Sequence, residues 1–116
     1  MYQKLIIIGN LGGEPSMRYT PDGKPVTSFS VAVSDRKDET MWVRVSAWNK
    51  LAETCNQYLH KGSKVLVEGA LKADAGGNPR TYERKDGTWG ASFEVVASSV
   101  KFLSGKDEPA DQEIAF

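Results

Sequence analysis

One cysteine, Cys55, and one histidine, His60, are all that this 116-residue sequence holds of two residue types central to enzyme and metal chemistry. A single thiol permits no disulfide within the chain and fits a reducing compartment. A lone histidine builds no metal cluster, no cysteine or carboxylate group has metal-ligand spacing, and a nucleophilic triad would have to use that one imidazole. Cys55 falls on the apolar face of a helical segment and reads as a small core residue. His60 falls in the last turn of that segment, where a dipole-facing or solvent-facing place is expected. The run "GNLGG" (9–13) contains G-x-x-G, but Glu-Pro follows it rather than a helix opening, so it reads as a turn. The expectation is a protein that is not an enzyme and uses no cofactor and no metal.

Long apolar runs are also missing. Nothing approaches the roughly 20 residues that span a bilayer. The opening "MYQKLIIIGN" has a short apolar run and no cleavage-site pattern, so no signal peptide is expected and the predicted location is cytoplasmic. Net charge is absent too, with 15 basic and 15 acidic residues, but the balance is uneven along the chain. Residues 107–116, "DEPADQEIAF", hold four acids and no base. The remaining 106 residues carry 15 bases against 11 acids, a body of +4 with a tail of −4. That division is a better clue to a polyanion partner than the total.

What is present is β-pattern. Apolar, β-branched runs are separated by Gly, Pro, Asn and Asp clusters. The pattern predicts a buried strand over 4–12, a Pro-Asp-Gly turn within 15–25, and an alternating strand over 26–34 with Phe29, Val31 and Val33 on one face. A charged loop at 35–39 leads to a strand over 41–48. One helix follows, "KLAETCNQYLHKG", with Leu51, Cys55, Tyr58 and Leu59 at helical spacing, Asn49 as N-cap and Gly62 as the stop after its C-terminus. A strand over 63–72 carries a mid-strand glycine, Gly69, that suggests a bend or bulge. The turns "AGGNP" (75–79) and "KDG" (85–87) frame a hairpin arm. The last strand, 90–103, shifts its apolar phase near Ser98–Ser99, from Phe93 and Val95 to Val100 and Phe102, as a bulge would produce. Three strands, a helix and two strands are the order of an all-β OB-fold: a five-stranded Greek-key barrel, its helix between strands three and four and the arm between four and five. Residues 1–104 form that domain, and 105–116 read as a disordered acidic tail.

The stretch "MWVRVSAWN" (41–49) then poses a question. Met41, Val43, Val45 and Ala47 take one face of the strand as its core face, which leaves Trp42, Arg44, Ser46 and Trp48 on the other. The two tryptophans stand roughly 20 Å apart with an arginine between them. OB-folds bind oligonucleotides or oligosaccharides on the face of strands two and three. Single-stranded nucleic acid needs flat platforms for its bases and cations along its phosphates, and this strand face supplies both. Burial of the tryptophans under another element or subunit is the plainer alternative, but the opposite face already provides a continuous core. Tyr82, flanked by Arg80, Arg84 and Lys85, makes a second aromatic set among bases. Trp89, at the foot of the arm, suits packing against the barrel as well as it suits ligand contact.

The chain resembles the bacterial-type single-stranded DNA-binding protein family. The likeness is carried by "IIGNLGGEPSMRYTPDGKPVTSFSVAVS", "WVRVSAWNKLAE", "YLHKGSKVLVEGAL" and "SFEVVASSVKFLSG", in the family's order and over nearly all of the sequence. It implies an OB-fold, binding of single-stranded DNA with little sequence preference, and a homotetramer around which the strand wraps. It further implies stacking aromatics at Trp42, Trp48 and Tyr82, with backbone contacts at Lys4, Arg18, Arg44, Lys50 and Lys61; Arg80 and Arg84 join them as neighbours of Tyr82. Two departures stand out. The family's aromatic in the loop between strands two and three has no counterpart, that loop offering Arg36 and Lys37, and the arm carries an insertion, "ADAGGNP".

The end of the chain resembles the family's acidic tip, through which replication, recombination and repair proteins are recruited. Here it reads "DQEIAF", with Ala115 where proline is usual, so the implied contacts are Asp111, Glu113, Ile114 and Phe116, and the usual long linker is almost lacking. The resemblance places the protein in the cytoplasm, at the nucleoid. Two rivals are a dimeric primosome-type OB protein that binds nucleic acid, and an OB module for sugar or protein. The acidic tip and the arm argue against the first, and the bases beside the aromatics argue against the second.

Overall fold

The computed structural model describes residues 2–34 and 39–103. The chain runs β1 (Leu5–Leu11), β2 (Ser16–Tyr19), β3 (Pro25–Ser34), β4 (Thr40–Trp48), α1 (Asn49–Tyr58), β5 (Lys64–Leu71), β6 (Arg80–Glu83) and β7 (Trp89–Phe102). Five of these strands close the barrel. Their order is β1-β5-β7-β4-β3, and β1 returns to β3 through Asn10↔Ala32 and Leu11↔Val31. All barrel pairs are antiparallel except β4 with β7, which is parallel from Val43↔Phe93 to Ser46↔Val96. This is the expected OB-fold, with the helix between its third and fourth barrel strands, β4 and β5.

Inward-pointing β-branched side chains fill the barrel, among them Val31, Val45, Val65, Val67 and Val95, none more than 1% exposed. The helix closes one end. Cys55 and Leu59 are buried in that core, and the Thr27 hydroxyl donates to the Ala52 carbonyl at 2.6 Å, tying the helix to β3. Burial raises the Cys55 thiol from its ordinary range to about 12. The native protein is therefore expected to resist a thiol reagent at about pH 8 and to react promptly once unfolded in urea, because the thiolate is the attacking species. Rapid labelling of the folded protein would show that the helix opens or that the thiol is reachable.

Several expectations change here. A further strand, β2, flanks the barrel, and the expected hairpin arm carries another, β6. Each is four residues long, and each pairs with a neighbour, β2 with β3 and β6 with β7. Strand β1 is not buried throughout: Ile7 and Leu11 point inward, whereas Ile6 and Ile8 alternate outward and are exposed. Asn49 is not an N-cap. It has a left-handed backbone (φ 59°) and begins the helix, Trp48 holds the capping position, and no side chain caps there. Asparagine is among the few residues that tolerate that conformation. The helix ends at Tyr58 rather than running to Gly62, so His60 lies beyond it. Gly62 instead supplies the positive φ (91°) of a turn in which the Ser63 N–H bonds the His60 carbonyl. Met41 and Phe93, assigned to the core face, are exposed; Phe93 lies beyond Val95, where the pairing of β7 with β5 stops.

The bulge falls where the phase shift placed it. Glu68 pairs with Ser99 and Gly69 with Ala97, which leaves Ser98 as the extra residue. Gly69 is required there because a Cβ would fall on the Val96 carbonyl. The Pro-Asp-Gly turn forms between β2 and β3, with Gly23 at φ 86° and its N–H bonded to the Thr20 carbonyl. At the tip of the arm, Gly87 takes φ 87°. The Asp86 carboxylate accepts from the Thr88 hydroxyl and N–H, and these bonds hold its pKa below the usual value.

Candidate nucleic-acid interface

Strand register decides which side chains share a face. Directly paired residues point to the same side of a sheet, so each row of partners can be followed across the outer surface. One row runs Arg18, Val26, Trp48 from β2 through β3 to β4. The next runs Ser16, Ser28, Ser46. The third joins Ser30 to Arg44 and Arg44 to Glu94 on β7. The last joins Ala32 to Trp42. The outer surface of β2–β3–β4 is thus a floor of serines with an arginine in the middle and a tryptophan toward each end. Trp42 is 55% exposed and Trp48 37%.

The arm extends this face. Arg80 pairs with Ser92 and Tyr82 with Gly90, and Ser92 and Gly90 have the same parity on β7 as Glu94. Tyr82, 46% exposed, therefore stands on the same side of the sheet as Trp42, Arg44 and Trp48. The Arg84 guanidinium lies 5.5 Å from the centre of its ring, a cation–π contact. Trp89 occupies the opposite face of the arm and is exposed.

Between β2, β3 and the β1–β2 turn the surface hollows into a groove of about 380 Å³. Ser28, Ser30, Arg18, Arg44 and Trp42 line it, with Gly12 and Glu14 on its rim. The Glu14 carboxylate accepts from the Lys61 N–H at 2.9 Å and stands 3.7 Å from His60 Nδ1, which fixes the 60–63 turn against that rim.

The predicted cations divide into two groups. Among the described residues no ion pair engages Arg18, Arg44, Lys50 or Lys61, and all four have exposed side chains. Lys4 instead sits 3.6 Å from Glu68 on β5, away from the β2–β3–β4 face. Arg80 is bound to Glu94 at 3.1 Å, and the Ser92 hydroxyl donates to the same carboxylate. Arg36 and Lys37, and the tip residues Asp111, Glu113, Ile114 and Phe116, lie outside the described residues. Sequence reading missed Gly12, Glu14, Glu94 and the serine floor; for the serines the strand alternation was a sufficient signal, but Gly12 and Glu94 matter through neighbours distant in sequence.

An OB barrel whose outer face combines exposed aromatics, cations with no ion pair among the described residues, and a shallow polar floor has the features of an oligomer-binding module. The comparisons narrow the class. The model of the single-strand binding protein family matches residues 2–103, and the chain belongs to that family. It is similar to the single-stranded DNA-binding protein of Neisseria meningitidis serogroup A, 38% identical over 113 residues, covering 90% of this chain and 62% of the relative. It is similar to the single-stranded DNA-binding protein of Xanthomonas campestris pv. campestris, 38% identical with the same coverage. Single-stranded DNA-binding protein 1 of Chlorobaculum tepidum is 35% identical, covering 90% of this chain and 66% of the relative. The chain spans less than two thirds of the length of these relatives.

Proposed function

We propose that this protein binds single-stranded DNA without sequence preference and protects it during replication, recombination and repair. The observation that carries this reading is the register: Trp42, Arg44, Trp48 and Tyr82 stand on one side of a continuous sheet. Bases stack on the three rings, and Arg18, Arg44, Lys50 and Lys61 follow the phosphates, which needs no hydrogen-bond code for sequence. Arg84 lends charge beside Tyr82, while Arg80 and Lys4 contribute less because each is already paired. Copies of the chain assemble as a homotetramer; the outward Ile6 and Ile8 on β1 support such contacts, being apolar side chains on a strand whose β3-side edge has no partner before Asn10. The tip residues Asp111, Glu113, Ile114 and Phe116 recruit partner proteins in the cytoplasm, the acids meeting a partner's bases and the two apolar side chains filling a pocket.

Titration of the intrinsic tryptophan fluorescence tests the reading. Poly-dT is expected to quench it strongly, since two of the three tryptophans are on the binding face, whereas a neutral oligosaccharide leaves it unchanged. Quenching by the sugar and not by poly-dT would assign the face to carbohydrate instead.

A further inference from the structure

We propose that Gly12 and Gly90 are positioning residues for the stacking rings, each holding one aromatic in place by presenting bare backbone where any side chain would displace it. The inference rests on reading Trp42 and Tyr82 as platforms for bases. Neither glycine is required by backbone conformation. Among the described residues the glycines with positive φ are Gly23, Gly62, Gly77 and Gly87, all in turns. Gly9 and Gly69 are needed because strands close in on them, a Cβ falling on the Ala32 or Val96 carbonyl. Gly12 and Gly90 differ from both groups: what a side chain would meet there is a functional side chain.

At Gly12 a Cβ would strike the outer edge of the Trp42 indole, against Cζ3 and 2.7 Å from Cη2. The backbone has no freedom to retreat, because the Gly12 N–H bonds the Ser30 carbonyl at 3.0 Å and the preceding Leu11 pairs with Val31 where the barrel closes. The ring would have to move. At Gly90 a Cβ would lie 2.9 Å from Tyr82 Cζ and 2.8 Å from the Arg84 guanidinium carbon. Arg84 is fixed from the other side by its bond to the Trp89 carbonyl at 2.8 Å. A methyl group at 90 therefore separates the guanidinium from the ring or tilts both away. An aromatic set across from a strand glycine also stabilises a hairpin, so the test must separate binding from stability.

Affinity for a fluorescent dT oligonucleotide and thermal unfolding are measured on the full chain. Gly12→Ala is expected to weaken binding about fivefold or more, the lower end of what a lost stack produces, with an unchanged melting temperature. In a Trp42→Phe background, whose shorter ring clears the new methyl, the same substitution should cost less than about twofold. Gly90→Ala should weaken binding by no more than Tyr82→Ala does, and the pair should not be additive. Equal losses from Gly12→Ala in both backgrounds would overturn the first seat. A Gly90→Ala protein with a lower melting temperature but parental affinity would overturn the second. Should Trp42→Ala or Tyr82→Ala itself bind like the parent, the platform reading fails, and its seat with it; a neutral glycine substitution beside a damaging aromatic one sinks the seat alone.

Discussion

Replacing Trp42 or Trp48 by alanine is expected to weaken binding to poly-dT by about 1–3 kcal/mol each, roughly five- to 150-fold, with little change in folding stability. The separation of the two effects follows from the faces of β4. Val43, Val45 and Ala47 are on the core side and essentially inaccessible, so the core survives loss of an outer side chain. Trp42, more than half exposed, has its free surface over the groove. Trp48 is less exposed and occupies the helix-capping position, but it caps through backbone geometry and not through its side chain. A core substitution gives the contrast: Leu59→Ala, under the barrel, should cost about 2–5 kcal/mol of stability. Urea unfolding and oligonucleotide titration of the same variants distinguish the cases. A Trp42→Ala protein that is unfolded in buffer, or binds normally when folded, would make that ring a packing residue.

The barrel was legible in the sequence because burial imposes a period. Met41 to Trp48 alternates so regularly that both faces of β4 could be assigned, and the phase change near Ser98 located a bulge that the register bears out. The short strand Ser16–Tyr19 was not legible: it buries almost nothing and its pairing is borrowed from β3, so no apolar alternation marks it. Arg80–Glu83 buries as little, but the turns on either side framed it as one leg of the arm. Helix limits failed for a related reason. Asn49 is a good cap by residue type, but Trp48 remains in extended β4 until the last moment and Asn49 makes the left-handed step into the helix. Phe93 has the core parity of β7 and pairs with Val43, yet β5 stops at Val95 and leaves it exposed, and parity alone does not say where a neighbouring strand ends.

The face of the candidate site was legible, but its charge pairing was not. Alternation put Trp42, Arg44 and Trp48 together, and hairpin register later brought Tyr82 to the same side. Nothing in the sequence distinguishes Arg44 from Arg80, although one has no ion pair among the described residues and the other is held by a carboxylate fourteen residues away. That difference becomes measurable through salt.

Affinity for single-stranded DNA should fall linearly with salt on a log–log plot, because each neutralised phosphate releases about 0.7 of a counterion. Should Arg18, Arg44, Lys50, Lys61 and Arg84 each meet one phosphate, the slope is about −3.5, and raising salt from about 50 to 200 mM costs roughly a hundredfold in affinity. Arg44→Ala should flatten that slope by about 0.7. Arg80→Ala should flatten it less, because Arg80 must give up Glu94 before it gains a phosphate, exchanging one ion pair for another. The same logic makes Glu94 a brake on the interface. Its carboxylate faces the binding side, directly across from Arg44, and neutralises one of the arm's arginines. Glu94→Gln keeps the shape and frees that charge, so it should tighten binding at low salt and steepen the slope by about 0.7. Fluorescence titrations of the three variants over a range of salt concentrations check all of these outcomes. A parent slope near zero would rule out phosphate tracking altogether, and equal changes for Arg44→Ala and Arg80→Ala would mean that the Glu94 pair does not survive in solution.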